Sequence, residues 1–133
     1  MALAEPYNSL VRRLFVNPVH AGTLGGRYRS ALTASIPGGA QEGVSLELSA
    51  GVEDGTLREL RFRARACPYL IAAAEWFCAH CEGQAAAALA AFSAEDLLAA
   101  LEIPATRRGR ILLLEDVILL LWRQCEQQIG ELD

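Results

Sequence analysis

The feature that most constrains this chain is a change of hydrophobic period at Cys67. From Val44 to Arg65 apolar residues alternate with polar ones; beyond Cys67 they fall at helical spacing or run together. A period of two belongs to strands and one near 3.6 to helices. Strands and helices are therefore segregated along the chain. That order predicts an α+β domain, a small three-stranded antiparallel sheet with helices packed on one face.

Within the alternating region, Val44–Leu48 sends Val44, Leu46 and Leu48 one way and Ser45 and Glu47 the other. Leu57–Arg65 sets Leu60, Phe62 and Ala64 against Glu59, Arg61, Arg63 and Arg65. Glu53-Asp54-Gly55 between them is a hairpin signal. A further strand is expected over Arg27–Ser35, followed by a Pro37-Gly38-Gly39 loop. Upstream, Met1–Phe15 places Leu10, Val11, Leu14 and Phe15 on one helical stripe. Asn17-Pro18 ends it, because a residue before proline avoids the helical region. Downstream, Pro68 suits a first turn, and Tyr69–Cys81 continues as a helix ending near Gly83. Ser93-Ala94-Glu95-Asp96 opens a short helix through Leu101, and Pro104 separates it from a terminal helix over Arg107–Ile129.

At 133 residues the chain is expected to be a single domain, residues 1–133. With 53% hydrophobic residues it can bury one core, so disorder is excluded. The net charge is −4, and the 12 basic residues, all arginine, leave no surplus for the basic face of a general nucleic-acid binder. Met1–Tyr7 has neither the charged nor the apolar part of a signal peptide. The longest apolar stretch, Ile111–Trp122, is broken by Glu115 and Asp116 and falls short of a ~20-residue membrane span. No membrane and a cytoplasmic setting are the expectation. There the four cysteines, Cys67, Cys78, Cys81 and Cys125, are free thiols, ligands or core residues rather than disulfides. Ile111–Trp122 is apolar around its circumference, as in a central helix or a homo-oligomer interface.

No enzyme is indicated: the sequence has no Ser–His–Asp pattern, no phosphate loop and no dinucleotide fingerprint after a strand. Glu115 and Asp116 are adjacent, so on a helix they point about 100° apart and do not share a proton-transfer centre.

An ordered series of residues resembles the U-type iron–sulfur cluster assembly scaffold family (the IscU, SufU and NifU N-terminal type). The family pattern Y-x-x-x-V-x-D-H-Y-x-N-P-R-N-x-G is matched by Tyr7, Val11, Phe15, Asn17, Pro18 and Gly22. Its hairpin appears as Val52, Asp54, Gly55, Leu57, Phe62 and Cys67, and its L-x-L-P segment and following helix as Leu101, Ile103, Pro104, Glu115 and Asp116. The similarity spans about residues 5–122. It implies the NifU-like fold and a role in assembling a nascent cluster on three cysteines and an aspartate. Soft, bridging thiolates suit that cargo. It also implies a cysteine desulfurase, an Hsp70-type chaperone system or other assembly proteins as partners.

The ligand positions depart from the family. The C-G-D loop falls on Gln41-Glu42-Gly43, so Gln41 replaces the first cysteine and Gly43 the aspartate. The second cysteine is Cys67; the third, from the family's H-C pair, falls on Gly109-Arg110, so Arg110 replaces it. A one-residue slip puts Glu42 near the aspartate position, and His20, where the family has asparagine, is a substitute ligand. The expected metal set is thus Cys67, Glu42 and His20, lined by Gln41, Gly43 and Arg110, for an iron–sulfur cluster or a single metal ion. Cys67 lies at a strand-to-helix junction, where a helix N-terminus favours a thiolate, and it also reads as a small packing residue. Arg110 puts a positive charge beside it, hostile to iron but suited to an anion. The chaperone-recognition segment L-P-P-V-K becomes Ile103-Pro104-Ala105-Thr106-Arg107. A second reading is therefore a regulatory or partner-binding paralogue that holds no cluster. A third is a thiol or zinc protein using Cys78 and Cys81 of Cys78-Ala79-His80-Cys81. That motif ends a helix instead of opening one, and Cys78 lies about 16 Å along the helix from Cys67 at ~1.5 Å per residue.

Overall fold

The computed structural model describes residues 7–36 and 44–132, with side chains through Gln128. Helix α1 (Ser9–Val16) precedes strands β1 (Ser30–Ile36), β2 (Ser45–Glu53) and β3 (Thr56–Arg65). Helices α2 (Pro68–Cys81), α3 (Ala88–Ala91) and α4 (Ala94–Ala100), a 3-10 turn (Ala105–Arg107) and α5 (Arg108–Leu132) follow. The strands form one antiparallel sheet in the order β1-β2-β3. This is the α+β arrangement that the segregated periods predict. The first residues of the helix expected from Met1, and the Pro37–Gly39 loop, lie outside the described residues.

The hairpin turn is Asp54-Gly55, with φ of +53° and +71°. Two successive positive φ values define the type I′ loop, whose twist matches that of the flanking strands. Two strand boundaries differ from the expectation by more than one residue. β1 begins at Ser30, not Arg27, because Tyr28 folds over the sheet at Gly51; a Cβ there would collide with the tyrosine ring. β2 runs on from Leu48 to Glu53 through Ser49-Ala50-Gly51, small residues that hide the alternation although Ala50 is fully buried.

Leu32 and Ala34 of β1, Leu46, Leu48 and Ala50 of β2, and Leu60 and Phe62 of β3 are buried beneath the helices. On the outer face the Thr33 and Ser49 hydroxyls lie 3.2 Å apart. The central helix is α2, not α5. Tyr69, Leu70, Ala72, Ala73, Ala74, Phe77, Cys78 and Cys81 are all buried, as expected of a helix apolar on every side. α5 buries Ile111, Leu114, Val117, Ile118, Leu121 and Cys125 and leaves Leu112 and Leu119 exposed. Its packing partners include β1, β2, α2 and α3.

Caps set the helix starts. The Asn8 side chain accepts the Val11 N–H at 2.8 Å to open α1, and Ser93 accepts the Glu95 N–H at 3.2 Å to open α4. The four-residue α3 lies in an alanine-rich run with no polar contrast, so no period announces it. Among the described residues no helix is long and apolar enough to cross a membrane.

Candidate functional site

The sheet delivers Cys67 to the start of α2. Cys67 is the N-cap, with extended backbone (φ −72°, ψ 163°); its carbonyl accepts the N–H groups of Leu70 and Ile71 at 3.1 and 3.2 Å. Its thiol makes no capping bond, so the helix does not occupy it. Of the four free cysteines, Cys67 is half-buried and the other three are buried.

Tyr69 stands in the first turn, where side chains lean back past the helix start. Its ring packs on Tyr7 at a centroid distance of 4.8 Å, and its hydroxyl is buried without a partner among the described residues. Burial pushes the phenol's pKa up, Tyr7 and Cys67 add to the rise, and Arg107 opposes it. A groove of about 350 Å³, lined by Phe15, Pro18, Ala21, Phe62, Ala64 and Ile71, opens one turn along α2 from Cys67.

The other end of α2 holds a network that no sequence motif marks. The buried Glu75 carboxylate accepts the His20 backbone N–H at 2.7 Å and lies 2.6 Å from Nδ1 of its ring. Nε2 lies 3.1 Å from Glu82. With a carboxylate on each ring nitrogen, the ring donates at both only as imidazolium. Glu82 also accepts the Leu60 N–H at 2.9 Å and pairs with Arg61 at 3.0 Å; Arg61 in turn pairs with Glu59 at 2.9 Å. Glu59 accepts the Gly25 and Gly26 N–H groups and, at 2.6 Å, the Tyr28 hydroxyl.

Burial alone would raise the Glu59 pKa, but Tyr28, the Gly25 and Gly26 amides and Arg61 outweigh it and hold it below the ordinary value. For Glu82 burial is likewise outweighed, by the Leu60 amide, His20 and Arg61. The Tyr28 hydroxyl is pushed up, first by its bond to Glu59. The alternation sets Glu59 on the face of β3 opposite Leu60, Phe62 and Ala64, yet it is 6% exposed, because the loop carrying Gly25, Gly26 and Tyr28 folds over it. Such a network carries little penalty only when every member is satisfied. Here it fastens the loop at residues 20–28 to β3 and α2.

Of the expected metal set Cys67, Glu42 and His20, the described residues place only Cys67 and His20, and they place them apart. His20 is engaged with Glu75, just over two turns along α2 from Cys67, about 12 Å at ~1.5 Å per residue. Both its ring nitrogens already face carboxylates. Gln41, Glu42 and Gly43 lie outside the described residues. Arg110 is half-buried in the first turn of α5. The cation felt by Tyr69 beside Cys67 is Arg107. Among the described residues no group of three or more His, Cys, Asp or Glu side chains could hold a metal ion. The described donors thus do not fit a cluster, which takes about four ligands; Cys67 offers one.

Cys78 and Cys81 face the core, and burial raises the Cys78 pKa well above its ordinary value and the Cys81 pKa to about 11. His80 instead turns outward and stacks on Trp76 at 3.7 Å. This geometry disfavours the thiolate that redox exchange or zinc binding requires. Sequence reasoning missed Glu75 and Glu82. The available signal was Glu75 itself, the single carboxylate in the apolar run from Tyr69 to Cys81.

No family model matches the sequence, and no curated protein matches it. Solved structures do. The N-terminal part of a nitrogen-fixing NifU-like protein from Brucella abortus aligns over 90% of this chain and 94% of its own, with a TM-score of 0.65 and 18% identity. A second structure, described as a hypothetical protein, aligns over 92% and 98% with a TM-score of 0.52 and 19% identity. The chain therefore has the NifU-like α+β fold.

Proposed function

We propose that this protein is a scaffold-like component of iron–sulfur cluster assembly in which Cys67 is the thiolate that meets the cargo. One observation carries the reading. In a NifU-like fold, Cys67 is the partly exposed cysteine, held by backbone at the head of α2 with no capping bond to its sulfur, while the other three are buried. Iron or a nascent cluster is cargo here, and its remaining ligands come from outside the described residues. Partners of the desulfurase type follow from the same reading.

A second reading is a partner-binding paralogue that holds no cluster. The engagement of His20 with Glu75 and Glu82 favours it, because it withdraws the nearest imidazole from any ligand set. Anaerobic reconstitution with iron and sulfide separates the two. The first expects iron and acid-labile sulfide in the wild type and their loss in Cys67→Ser. The second expects a folded, colourless wild type.

A further inference from the structure

β3 leaves the edge away from β2 open at Ala64. In an antiparallel pair, alternate residues turn their N–H and C=O toward the neighbouring strand, and the residues between turn theirs away. Phe62 turns away from β2: its N–H donates to the His20 carbonyl at 3.0 Å, and its C=O accepts the Gly22 N–H at 2.8 Å. Leu60 and Ala64, two residues to either side, turn the same way. Leu60 is satisfied there, its N–H by Glu82 at 2.9 Å and its C=O by Arg61 at 2.7 Å. Ala64 has no partner on that edge among the described residues. The segment that pairs with Phe62 turns off at Gly22, where φ is +129°, before it reaches Ala64.

The open position borders the apolar groove of about 350 Å³, whose lining includes Ala64, Phe62, Ala21 and Ile71. Arg63 is the one charged side chain lining it among the described residues, and no carboxylate does. Arg63 meets Glu47 only at 3.9 Å, and the exposed Arg65 forms no ion pair among the described residues. A segment added to this edge alternates as β3 does. One set of its side chains enters the groove beside Phe62 and Ala64; the other lies on the outer face beside Arg63 and Arg65. The first set must be apolar and the second acidic. The chain's own runs of this pattern, Leu46-Glu47-Leu48 and Leu101-Glu102-Ile103, bury their apolar residues in the core, so among the described residues a second copy does not supply it.

We propose that the edge of β3 at Ala64, with the groove beside it, binds an extended segment of a partner protein that alternates apolar and acidic side chains. The segment's backbone bonds the Ala64 N–H and C=O, its apolar side chains fill the groove, and its carboxylates meet Arg63 and Arg65. This assignment does not depend on whether Cys67 meets a metal, and its test reads no iron.

Selection of a random peptide display library on the immobilised full chain supplies the probe. The expected survivors alternate apolar and acidic residues. A labelled synthetic survivor is then titrated by fluorescence anisotropy. Ala21→Phe, which fills the groove, and Arg63→Glu, which reverses the charge beside it, each weaken binding about tenfold. Arg58→Glu, near the hairpin, leaves it unchanged. All three substitutions are at exposed positions, and circular dichroism verifies that each variant is folded. Amide exchange reads the backbone pairing directly: the Ala64 N–H exchanges more slowly with the peptide bound. A selection that yields no survivors, or survivors of another pattern, overturns the proposal. So does a peptide that either Ala21→Phe or Arg63→Glu fails to weaken, one that Arg58→Glu weakens as much, or an Ala64 amide whose exchange the peptide leaves unchanged.

Discussion

The two ends of α2 hold reactive groups under opposite conditions. At the start, Cys67 is half-buried, its thiol makes no capping bond, and the neighbouring Tyr69 hydroxyl is buried without a partner among the described residues. Toward the end, His20, Glu75, Glu82, Arg61, Glu59 and Tyr28 are joined donor to acceptor in one continuous network. The first end has capacity to spare and the second has spent it. A satisfied buried network holds a fold in one arrangement, whereas unused polar groups are what chemistry needs. The apolar middle of α2, with Ala72, Ala73, Ala74 and Phe77 fully buried, keeps the two apart.

The most severe way to test this contrast is Glu75→Ala. It leaves the buried His20 ring and amide facing an empty site, and breaking a buried pair in this way costs about 3–5 kcal/mol. Urea denaturation measures it. A cost under about 1 kcal/mol means that the network does not hold the fold.

Acid acts on the same end. Glu59 and Glu82 have folded pKa values below the ordinary 4.5. For groups depressed on folding, the stabilisation is complete above the unfolded value and is lost as pH falls through the folded one. Stability should therefore drop as pH falls below about 4.5, and Glu82→Gln should flatten that limb. Alkali acts in the opposite sense. Burial raises Cys81 and Cys125 from 9.0 to about 11. Their protonated folded forms stabilise below the ordinary value, and that contribution is lost as pH rises from about 9 toward 11. Denaturation midpoints across the range check both limbs.

At the first end the effects shrink. Asn8→Ala, beside Tyr7, removes the cap on the Val11 amide and the bond to the Ala100 carbonyl. It should cost about 1 kcal/mol. Cys67→Ser should cost less than about 1 kcal/mol, since the partly buried side chain packs against the core but makes no capping bond. A larger loss at Cys67 marks it as a packing residue and dissolves the contrast.

Much of the fold was legible because it is local. Alternation over Leu57–Arg65 located β3, Asp54-Gly55 the hairpin, Pro68 the start of α2 and Ser93 the start of α4. What escaped is non-local. Glu59 is out of water because Gly25, Gly26 and Tyr28, more than thirty positions earlier, fold across it. His20 fits a loop ligand from sequence, yet its partner Glu75 is 55 positions away. The start of β1 was misplaced for the same reason, since Tyr28 answers to Gly51 rather than to its neighbours in the chain. Cys67 could be placed at a strand-to-helix junction from sequence, but not its unused thiol, which follows from capping geometry in three dimensions.

The central claim is that one end of α2 keeps an available thiol while the others are withdrawn. Labelling the native protein with a thiol-specific reagent, with peptide mass mapping, tests it most directly. The account predicts one fast-reacting cysteine, Cys67, whose signal is absent in Cys67→Ser, with Cys78, Cys81 and Cys125 reacting only on unfolding. Fast labelling of Cys78 or Cys81, or a Cys67 as slow as the rest, would contradict it.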